Sequence, residues 1–284
     1  MNYETILVTG GAGFVGSAFL RHLSHSHCGK LYSLDDYSTG SSKNHHPGIT
    51  YIGDKTENIS DYDWVAPDVV FHFGEYSRVS TSFEDESTVF ESNVIGTKRV
   101  VEYCLRNKSR LIYSASSTKF GDDGRNKSES PYAFYKSNNV DLVHNFSKWF
   151  GLEYSIAYFY NVYGPGQIEE GKYSTVIGIF EEQSRLSKPL TVCSPGTQKR
   201  DFTHISDIVL GLETIMDSGS QGEYWLGTGT TYSILEVAKM FSENIKMIPS
   251  RRGERENTVI KLDSMVKLGW KAKVNLEHYI GKLK

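Results

Sequence analysis

The residues most suited to acid–base chemistry are a tyrosine and a lysine four positions apart, Tyr132 and Lys136, in the segment that begins at Ser130. Residues at positions i and i+4 of a helix share one face, so the Lys136 ammonium can approach the Tyr132 phenol. An isolated phenol titrates at about 10, and a neighbouring cation lowers its pKa. The pair is therefore a candidate general base, whereas Tyr135 points elsewhere because it is adjacent to Lys136.

A hydroxyl-rich loop follows the apolar run at residues 111–113 and contains Ser114, Ser116, Ser117 and Thr118. The run predicts a buried strand, and ligands bind at the carboxyl ends of parallel strands. The loop is therefore a candidate part of a binding site. The alternative is that these hydroxyl groups only cap the loop backbone.

Three glycines, in the pattern Gly10-x-x-Gly13-x-x-Gly16, separate a β-branched run at residues 6–8 from a helical pattern. A turn without Cβ atoms lets backbone N–H groups approach a pyrophosphate at the helix N-terminus. Asp35 follows Gly16 by about 20 residues, the distance typical of the acid that binds adenosine ribose. A carboxylate there repels a 2′-phosphate, which predicts NAD as the cofactor. The alternative is an ordinary strand–helix turn with surface acids.

Short apolar runs alternate with helical patterns over the first 165 residues, and two of the predicted helices cover residues 89–105 and 132–149. This alternation predicts an α/β fold with a doubly wound parallel sheet of the Rossmann type. After the Gly-Pro-Gly sequence at residues 164–166 the pattern becomes less regular. We predict an NAD-binding domain at residues 1–165 and a smaller C-terminal α/β substrate-binding lobe at residues 166–284. Parts of residues 200–228 are expected to return to the main sheet.

The composition limits the class of protein and its partners. The chain has 284 residues, 38% of them hydrophobic, and a formal net charge of −3. It lacks the basic field that would favour a nucleic-acid partner. No apolar run reaches the roughly 18 residues that span a bilayer, and the N-terminus lacks the pattern of a secretory signal. With three widely spaced cysteines and no metal-ligand spacing among nine histidines, we expect a cytoplasmic protein without a metal or membrane association.

Together with further segments, these motifs resemble the extended short-chain dehydrogenase/reductase superfamily, and within it the NAD-dependent nucleotide-sugar epimerase/dehydratase family. The branch with the most similar motifs is UDP-galactose (UDP-glucose) 4-epimerase. The resemblance covers nearly the whole chain in the family's order. It rests on TGGAGFVGS at residues 9–17, LDDYSTG at 34–40, VVFHFGE at 69–75, SASST at 114–118, YAFYK at 132–136, and segments 160–165, 200–207 and 251–254.

The resemblance implies roles for individual residues. Tyr132 is the implied general base, Lys136 the ligand of the nicotinamide ribose, and Ser116 the residue that hydrogen-bonds the sugar 4-oxygen. The implied NAD-binding residues are Gly10, Gly13, Phe14, Val15, Asp35, Asp36, Ser38, Thr39, Asp54, Lys55, Phe73, Gly74, Asn93, Ser114, Tyr132, Lys136 and Tyr160. The residues implied to bind a nucleotide-hexose, with a UDP-sugar favoured, are Ser116, Asn161, Arg200, Arg251 and Glu254.

Asp54 and Lys55 are expected beside the adenine, and Asn93 on the floor under the dinucleotide. The resemblance also implies a homodimer that packs through the helices at residues 89–105 and 132–149, and a role in carbohydrate biosynthesis. Neither the sugar nor the nucleotide base follows from the motifs.

The branches of the resembled family differ in the hydroxyl-rich loop. Sugar 4,6-dehydratases carry an Asp-Glu pair at the positions of Ser117 and Thr118, and decarboxylases carry a glutamate at the position of Thr118. The residues present here favour a 4-epimerase with tightly bound NAD. The alternatives are a 4-dehydrogenase or ketoreductase, a non-catalytic dinucleotide sensor, and an unusual dehydratase with Glu75 as an additional acid/base. Glu75 has a structural alternative, an ion pair with Arg78.

Overall fold

A seven-stranded parallel sheet forms the main body of the protein. The computed structural model describes residues 3–169, 171–253 and 255–283. From one edge to the other, the strands are β10 (Gly222–Leu226), β6 (Tyr154–Phe159), β5 (Arg110–Ser116), β4 (Val69–His72), β1 (Thr5–Thr9), β2 (Lys30–Asp35) and β3 (Ile49–Gly53). All six neighbouring pairs are parallel. The doubly wound fold is thus confirmed, and its strand order reverses between β1 and β4, where such sheets bind ligands.

Helices cover both faces of the sheet, which explains why its strands are continuously apolar. On one face, the sheet packs against α1 (Phe14–Ser26) and α6 (Ile205–Ser218). On the other face, it packs against α3 (Thr97–Asn107) and α4 (Pro131–Phe150). Ile6 and Leu7 show the consequence, because these neighbours in β1 point to opposite faces and both are fully buried.

The two helices predicted at residues 89–105 and 132–149 both exist, with somewhat wider bounds. The first consists of α2 (Glu86–Val89), a π-helical stretch over Phe90–Gly96, and α3. The second, α4, begins where the Ser130 hydroxyl accepts a hydrogen bond from the Ala133 N–H at 3.1 Å. Within the described residues, no helix combines the length and the apolar character needed to cross a membrane.

The C-terminal part of the chain forms a smaller lobe with its own core. Its strands are β7 (Asn161–Tyr163), β8 (Leu190–Cys193), β9 (Lys199–His204), β11 (Thr231–Ser233) and β12 (Ile245–Ile248). Three of them form the order β11-β9-β7, and β12 pairs with β8. The helices α5 (Val176–Arg185), α7 (Ile234–Phe241) and α9 (Leu276–Gly281) pack on this core, whereas Met265 of α8 (Asp263–Lys267) belongs to the main-sheet core.

The chain passes between the main body and the lobe more than once. It leaves the main sheet after β6, forms β7, β8 and β9 in the lobe, and returns as β10 at the sheet edge beside β6. Asp201 of β9 lies at this return, where its carboxylate accepts hydrogen bonds from the backbone N–H groups of Thr228 and Gly229, at 2.9 and 2.8 Å. The lobe is therefore fastened to the edge of the sheet by the returning chain and by the Asp201 hydrogen bonds.

Candidate active site

The cleft between the sheet and the lobe has a volume of about 630 Å³ and lies at the carboxyl ends of the parallel strands. Most of the site residues predicted from the sequence line it, although they are distant in the chain. Those that line it are Gly10, Gly13, Phe14, Val15, Asp35, Asp36, Ser38, Thr39, Lys55, Phe73, Gly74, Glu75, Ser114, Ser116, Tyr132, Lys136, Tyr160, Asn161, Arg200 and Arg251.

The glycine-rich turn between β1 and α1 leaves no room for side chains. Gly10 has a φ of +69°, and a Cβ added to it would lie 2.8 Å from the Gly74 nitrogen. A Cβ on Gly16 would lie 2.2 Å from the Gly10 carbonyl oxygen. Helix α1 follows Gly13 without a side-chain cap, so N–H groups of its first turn remain available to an anion. This turn fits the pyrophosphate of a dinucleotide.

Asp35 ends strand β2 at the mouth of this turn. One carboxylate oxygen accepts a hydrogen bond from the Ala12 N–H and the other from the Tyr37 N–H, both at 2.8 Å. Burial nevertheless raises the pKa of Asp35 because it outweighs these bonds. The carboxylate is thereby held in place, and it suits a hydroxyl donor such as a ribose.

Asp54 and Asn93, expected beside the adenine and on the floor under the dinucleotide, make hydrogen bonds within the protein. Asp54 is outside the cleft, where it accepts hydrogen bonds from the Asn58 amide and the Tyr62 hydroxyl. Asn93 is fully buried, and its amide exchanges two hydrogen bonds, of 2.8 and 3.0 Å, with the backbone of Tyr76. Both short polar side chains satisfy nearby groups of the protein, and their placement near the dinucleotide stays a prediction. Glu254, a predicted substrate ligand, lies outside the described residues.

Ser116 is oriented by its neighbour Thr118. The Ser116 oxygen accepts hydrogen bonds from the Thr118 backbone N–H at 3.2 Å and from the Thr118 hydroxyl at 2.9 Å. With both acceptor positions used, the Ser116 O–H is directed to donate. Tyr132, in the first turn of α4, lines the same cleft. Nothing in the sequence pointed to this contact, because Thr118 stood out only as a position without the acid of the dehydratase and decarboxylase branches.

Lys136 lies one helical turn beyond Tyr132 and is paired with Glu75. Their side chains are 6% and 1% exposed, and the ammonium donates to a Glu75 oxygen. It also donates to the Ser114 carbonyl oxygen at 2.6 Å. An ammonium has three N–H donors, so one remains for a ligand in the cleft. The alternative ion pair with Arg78 does not form, because Arg78 donates to the carbonyl oxygen of Tyr173.

The carboxylate of Glu75 is held below the cleft by further donors. Its second oxygen accepts hydrogen bonds from the Thr97 hydroxyl at 3.0 Å and from Tyr113 and Asn139, each at 3.1 Å. No spacing in the sequence connects these residues, because they come from α3, β5 and α4. Glu75 lines the cleft, but both its oxygens are engaged by groups of the protein. Its geometry argues against the additional acid/base role considered for Glu75.

His72 extends the buried network away from the cleft. Its ring nitrogens lie 2.7 Å from the Thr9 hydroxyl and 3.0 Å from the Thr97 hydroxyl. Burial lowers the pKa of His72 to about 4, which keeps the ring neutral under ordinary conditions. The floor of the site is therefore a closed set of hydrogen bonds.

Arg255 is a cleft residue that the sequence analysis missed. Its side chain is 6% exposed and donates to the Ser117 hydroxyl at 3.1 Å. Burial, followed by repulsion from Arg200, lowers the pKa of Arg255 to about 10. Its position directly after the 251–254 motif was the available signal. Alone, however, an arginine there is equally compatible with an exposed surface charge.

A parallel doubly wound sheet, a glycine-rich turn with an acid after β2, and a Tyr/Lys pair beside a serine-containing strand end define the extended short-chain dehydrogenase/reductase class. The sequence model of the NAD dependent epimerase/dehydratase family matches residues 6–227. The chain belongs to this family. It is an enzyme of the NAD-dependent nucleotide-sugar epimerase/dehydratase type, and its cofactor is NAD.

Similar proteins in this family carry out more than one reaction. The chain is 29% identical over 300 residues to UDP-glucuronic acid decarboxylase 6 of Arabidopsis thaliana, covering 95% of this chain and 85% of that protein. It is 30% identical to the UDP-N-acetyl-alpha-D-glucosaminuronate decarboxylase of Bacillus cytotoxicus, covering 82% and 78%. A UDP-glucose 4-epimerase structure from Thermotoga maritima has the same fold, with a TM-score of 0.90, 23% identity, and coverage of 97% and 96%.

Proposed function

We propose that the protein is a nucleotide-sugar 4-epimerase that oxidises C4 transiently with tightly bound NAD, and that its substrate is a UDP-sugar. The observation that carries this proposal is the arrangement around Ser116. Thr118 stands where, in the resembled family, dehydratases and decarboxylases carry a glutamate, and here it donates to the Ser116 oxygen. The cleft combines a hydroxyl donor with a Tyr/Lys pair, and the Glu75 carboxylate beside them is engaged by Lys136.

In this mechanism, Tyr132 as phenolate takes the proton of the C4 hydroxyl, and Ser116 donates a hydrogen bond to the same oxygen. Lys136 keeps a positive charge beside the phenolate and uses its third N–H for the nicotinamide ribose. Held by the glycine-rich turn, Asp35 and Lys136, NAD would supply the reversible hydride chemistry at C4, and rotation of the keto sugar between the two hydride transfers would invert that carbon. Tyr132 then gives the proton back, so no group is consumed.

Arg200 and Arg251 are the proposed ligands of the diphosphate, and Asn161 lines the same cleft. Arg200 is on β9 of the lobe, and Arg251 follows β12 in a segment that returns to the cleft. Guanidinium groups suit this task because their planar fork pairs two phosphate oxygens. This arrangement directs the nucleotide along the lobe and the sugar toward Tyr132.

A homodimer through α4 and the α2–α3 helix is part of the proposal. Large apolar side chains on these helices are exposed to solvent in the single chain: Phe90, Ile95, Phe134, Trp149 and Phe150. Exposed apolar groups concentrated on adjacent helices favour association with another surface. Size-exclusion chromatography with light scattering is expected to give twice the chain mass, and Trp149→Glu to give the single chain mass. A monomeric unmodified protein would contradict this part of the proposal.

The decisive experiment is to incubate the purified protein, without added cofactor, with UDP-hexoses and UDP-hexuronates and to follow the products by NMR. Inversion at C4 without net NADH, lost in Tyr132→Phe, is the expected result. Turnover only with stoichiometric NAD(H) would instead identify a 4-dehydrogenase or ketoreductase. A deoxy sugar or a pentose product would replace the epimerase with a dehydratase or a decarboxylase.

A further inference from the structure

Hydrogen bonds and close packing hold the guanidinium group of Arg255 at the sugar end of the cleft. Its Nη2 donates to Ser117, the residue that follows the substrate-facing Ser116. A Cβ added to Gly121 would lie 2.8 Å from the Arg255 Cδ, so the loop needs a glycine where the side chain passes. The backbone next to Arg255 is fixed as well, because the N–H groups of Glu256 and Asn257 donate to Asp122 at 3.1 and 2.8 Å.

Arg255 forms no ion pair with a carboxylate among the described residues, although Asp122 lies within electrostatic reach of it. Both Asp122 oxygens accept from backbone N–H groups, and none of the ion pairs in the described ranges includes Arg255. Its Nη1 is buried without a hydrogen-bond partner in this part of the chain. A buried cation in this state is costly unless a ligand pairs with it.

Arg78 adds a second guanidinium to the same region. It lines the cleft and donates to the carbonyl oxygens of Tyr173 and Ser77 rather than to a carboxylate. The Tyr132 phenol interacts electrostatically with both Arg78 and Arg255. Lys136, by contrast, is already neutralised by Glu75. Arg78 and Arg255 therefore both place positive charge near Tyr132, and Arg200 lies within electrostatic reach of Arg255.

We propose that Arg255, with Arg78 contributing from the same cleft, forms a carboxylate-binding subsite, and that the substrate is a nucleotide hexuronate with its carboxylate on C5. This inference rests on the proposed function only in placing the sugar next to Tyr132 and Ser116. A carboxylate offers two oxygens to the planar guanidinium and compensates its buried charge. A neutral hexose has no group that does so.

The ion pair has a consequence for the reaction. Removing hydride and proton from C4 of a hexuronate leaves a 4-keto acid with its carboxylate β to the ketone, which can break the C5–C6 bond and release CO₂. Departing CO₂ is neutral, so its release would leave Arg255 unpaired again. The subsite therefore opposes decarboxylation and favours return of hydride and proton to C4 with the carboxylate retained.

The test is a binding experiment on the NAD-loaded Tyr132→Phe protein, in which turnover does not consume the ligand. Calorimetry with UDP-glucuronate, UDP-glucose and UDP is expected to show UDP-glucuronate binding about tenfold more tightly than UDP-glucose. Adding Arg255→Gln is expected to remove this preference and to leave UDP affinity within about twofold. Arg255→Lys, which keeps the charge, is expected to restore part of the preference.

Two results would overturn the subsite. One is equal affinity for UDP-glucuronate and UDP-glucose, and the other is an equal loss of affinity for all three ligands in Arg255→Gln, which would make Arg255 a diphosphate ligand. If Arg255→Gln does not fold, as judged by its Tm, Arg78→Gln replaces it, with a partial loss of preference expected. An unchanged preference in Arg78→Gln would then count against the subsite.

Product analysis separates this inference from the proposed function. Conversion of UDP-glucuronate to UDP-galacturonate by the unmodified protein supports both. Release of CO₂ with a UDP-pentose would contradict the epimerase and the inferred protection against decarboxylation, while leaving the binding preference intact. Epimerisation of UDP-glucose without any preference for the uronate would retain the epimerase and overturn the subsite.

Discussion

The sheet side and the lobe side of the cleft treat buried charge in opposite ways. On the sheet side, the Lys136 ammonium is paired with Glu75, whose other oxygen has three further donors. On the lobe side, Arg255 has the same 6% exposure but only a serine hydroxyl as its identified partner in the described chain. Two equally buried cations thus have very different surroundings.

This difference indicates how the two sides contribute to binding. The sheet side satisfies its own charges before any ligand arrives, so its geometry is preorganised for the cofactor and for catalysis. The lobe side retains uncompensated charge, and part of its binding energy comes from compensating that charge with the ligand. Variants on the sheet side should therefore change rate and stability, whereas variants on the lobe side should change ligand preference.

The largest expected effect is on the sheet side, in Tyr132→Phe. The phenol oxygen is the proposed acid/base, and its removal should lower kcat by about 10³-fold with bound NAD unchanged. Steady-state kinetics and the NAD content of the purified protein measure both quantities. A loss of NAD of similar size would make Tyr132 a cofactor ligand rather than the base.

The second prediction removes the compensation of Lys136. Glu75→Gln leaves the ammonium unpaired in a buried position and should lower the free energy of unfolding by about 3 kcal/mol. Adding Lys136→Met should recover part of this stability without recovering activity. Urea denaturation of both variants is the measurement, with Glu84→Gln, an exposed glutamate nearby, as the matched control. A Glu75→Gln protein as stable as this control would show that Glu75 does not compensate the buried charge of Lys136.

The third prediction concerns the pH dependence of the same floor. The pKa of His72 is about 4 in the folded protein and 6.5 when unfolded, so its neutral form stabilises the fold. That stability is present above pH 6.5 and is lost as the pH falls toward 4, with about 2 kcal/mol lost between pH 7 and pH 5. Urea denaturation at both values should show a smaller difference for His72→Gln. Identical differences in the two proteins would exclude His72 as the cause.

The smallest expected effect is on the lobe side. Gly121→Ala places a Cβ against the Arg255 side chain and should weaken UDP-glucuronate binding severalfold by displacing the guanidinium. UDP-glucose binding should change little. Gly281→Ala is the control, because a Cβ there meets no atom within 4 Å. Equal weakening for both sugars would show that the loop, rather than the charge of Arg255, was disturbed.

The sequence predicted the parts of the molecule that depend on local patterns. Continuous apolar runs identified the parallel sheet, and the spacing of Gly10, Gly13 and Gly16 identified the turn that the structure fits to a pyrophosphate. Tyr132 and Lys136 share a helix, so their spacing alone places them on one face.

Contacts between distant segments could not be predicted in this way. Glu75 and Lys136 are 61 residues apart, and Ser117 and Arg255 are 138 apart. A side chain such as Asn93 also has several possible partners, and its buried hydrogen bonds to Tyr76 follow only from the packed loop. Pattern and spacing identify which residues are reactive. The packing of distant segments decides which of their charges and polar groups have a partner.

Because the chain returns to the sheet as β10, the lobe cannot be removed or exchanged without affecting the sheet. β10 hydrogen-bonds to β6 and closes that edge only after the chain has completed β7, β8 and β9. A fragment that ends before the lobe would leave β6 as an unprotected edge strand, a ready template for aggregation. The lobe is thus not an interchangeable attachment. Substrate preferences cannot be exchanged between relatives by a single splice, because the transplanted segment also carries the strand that seals the sheet.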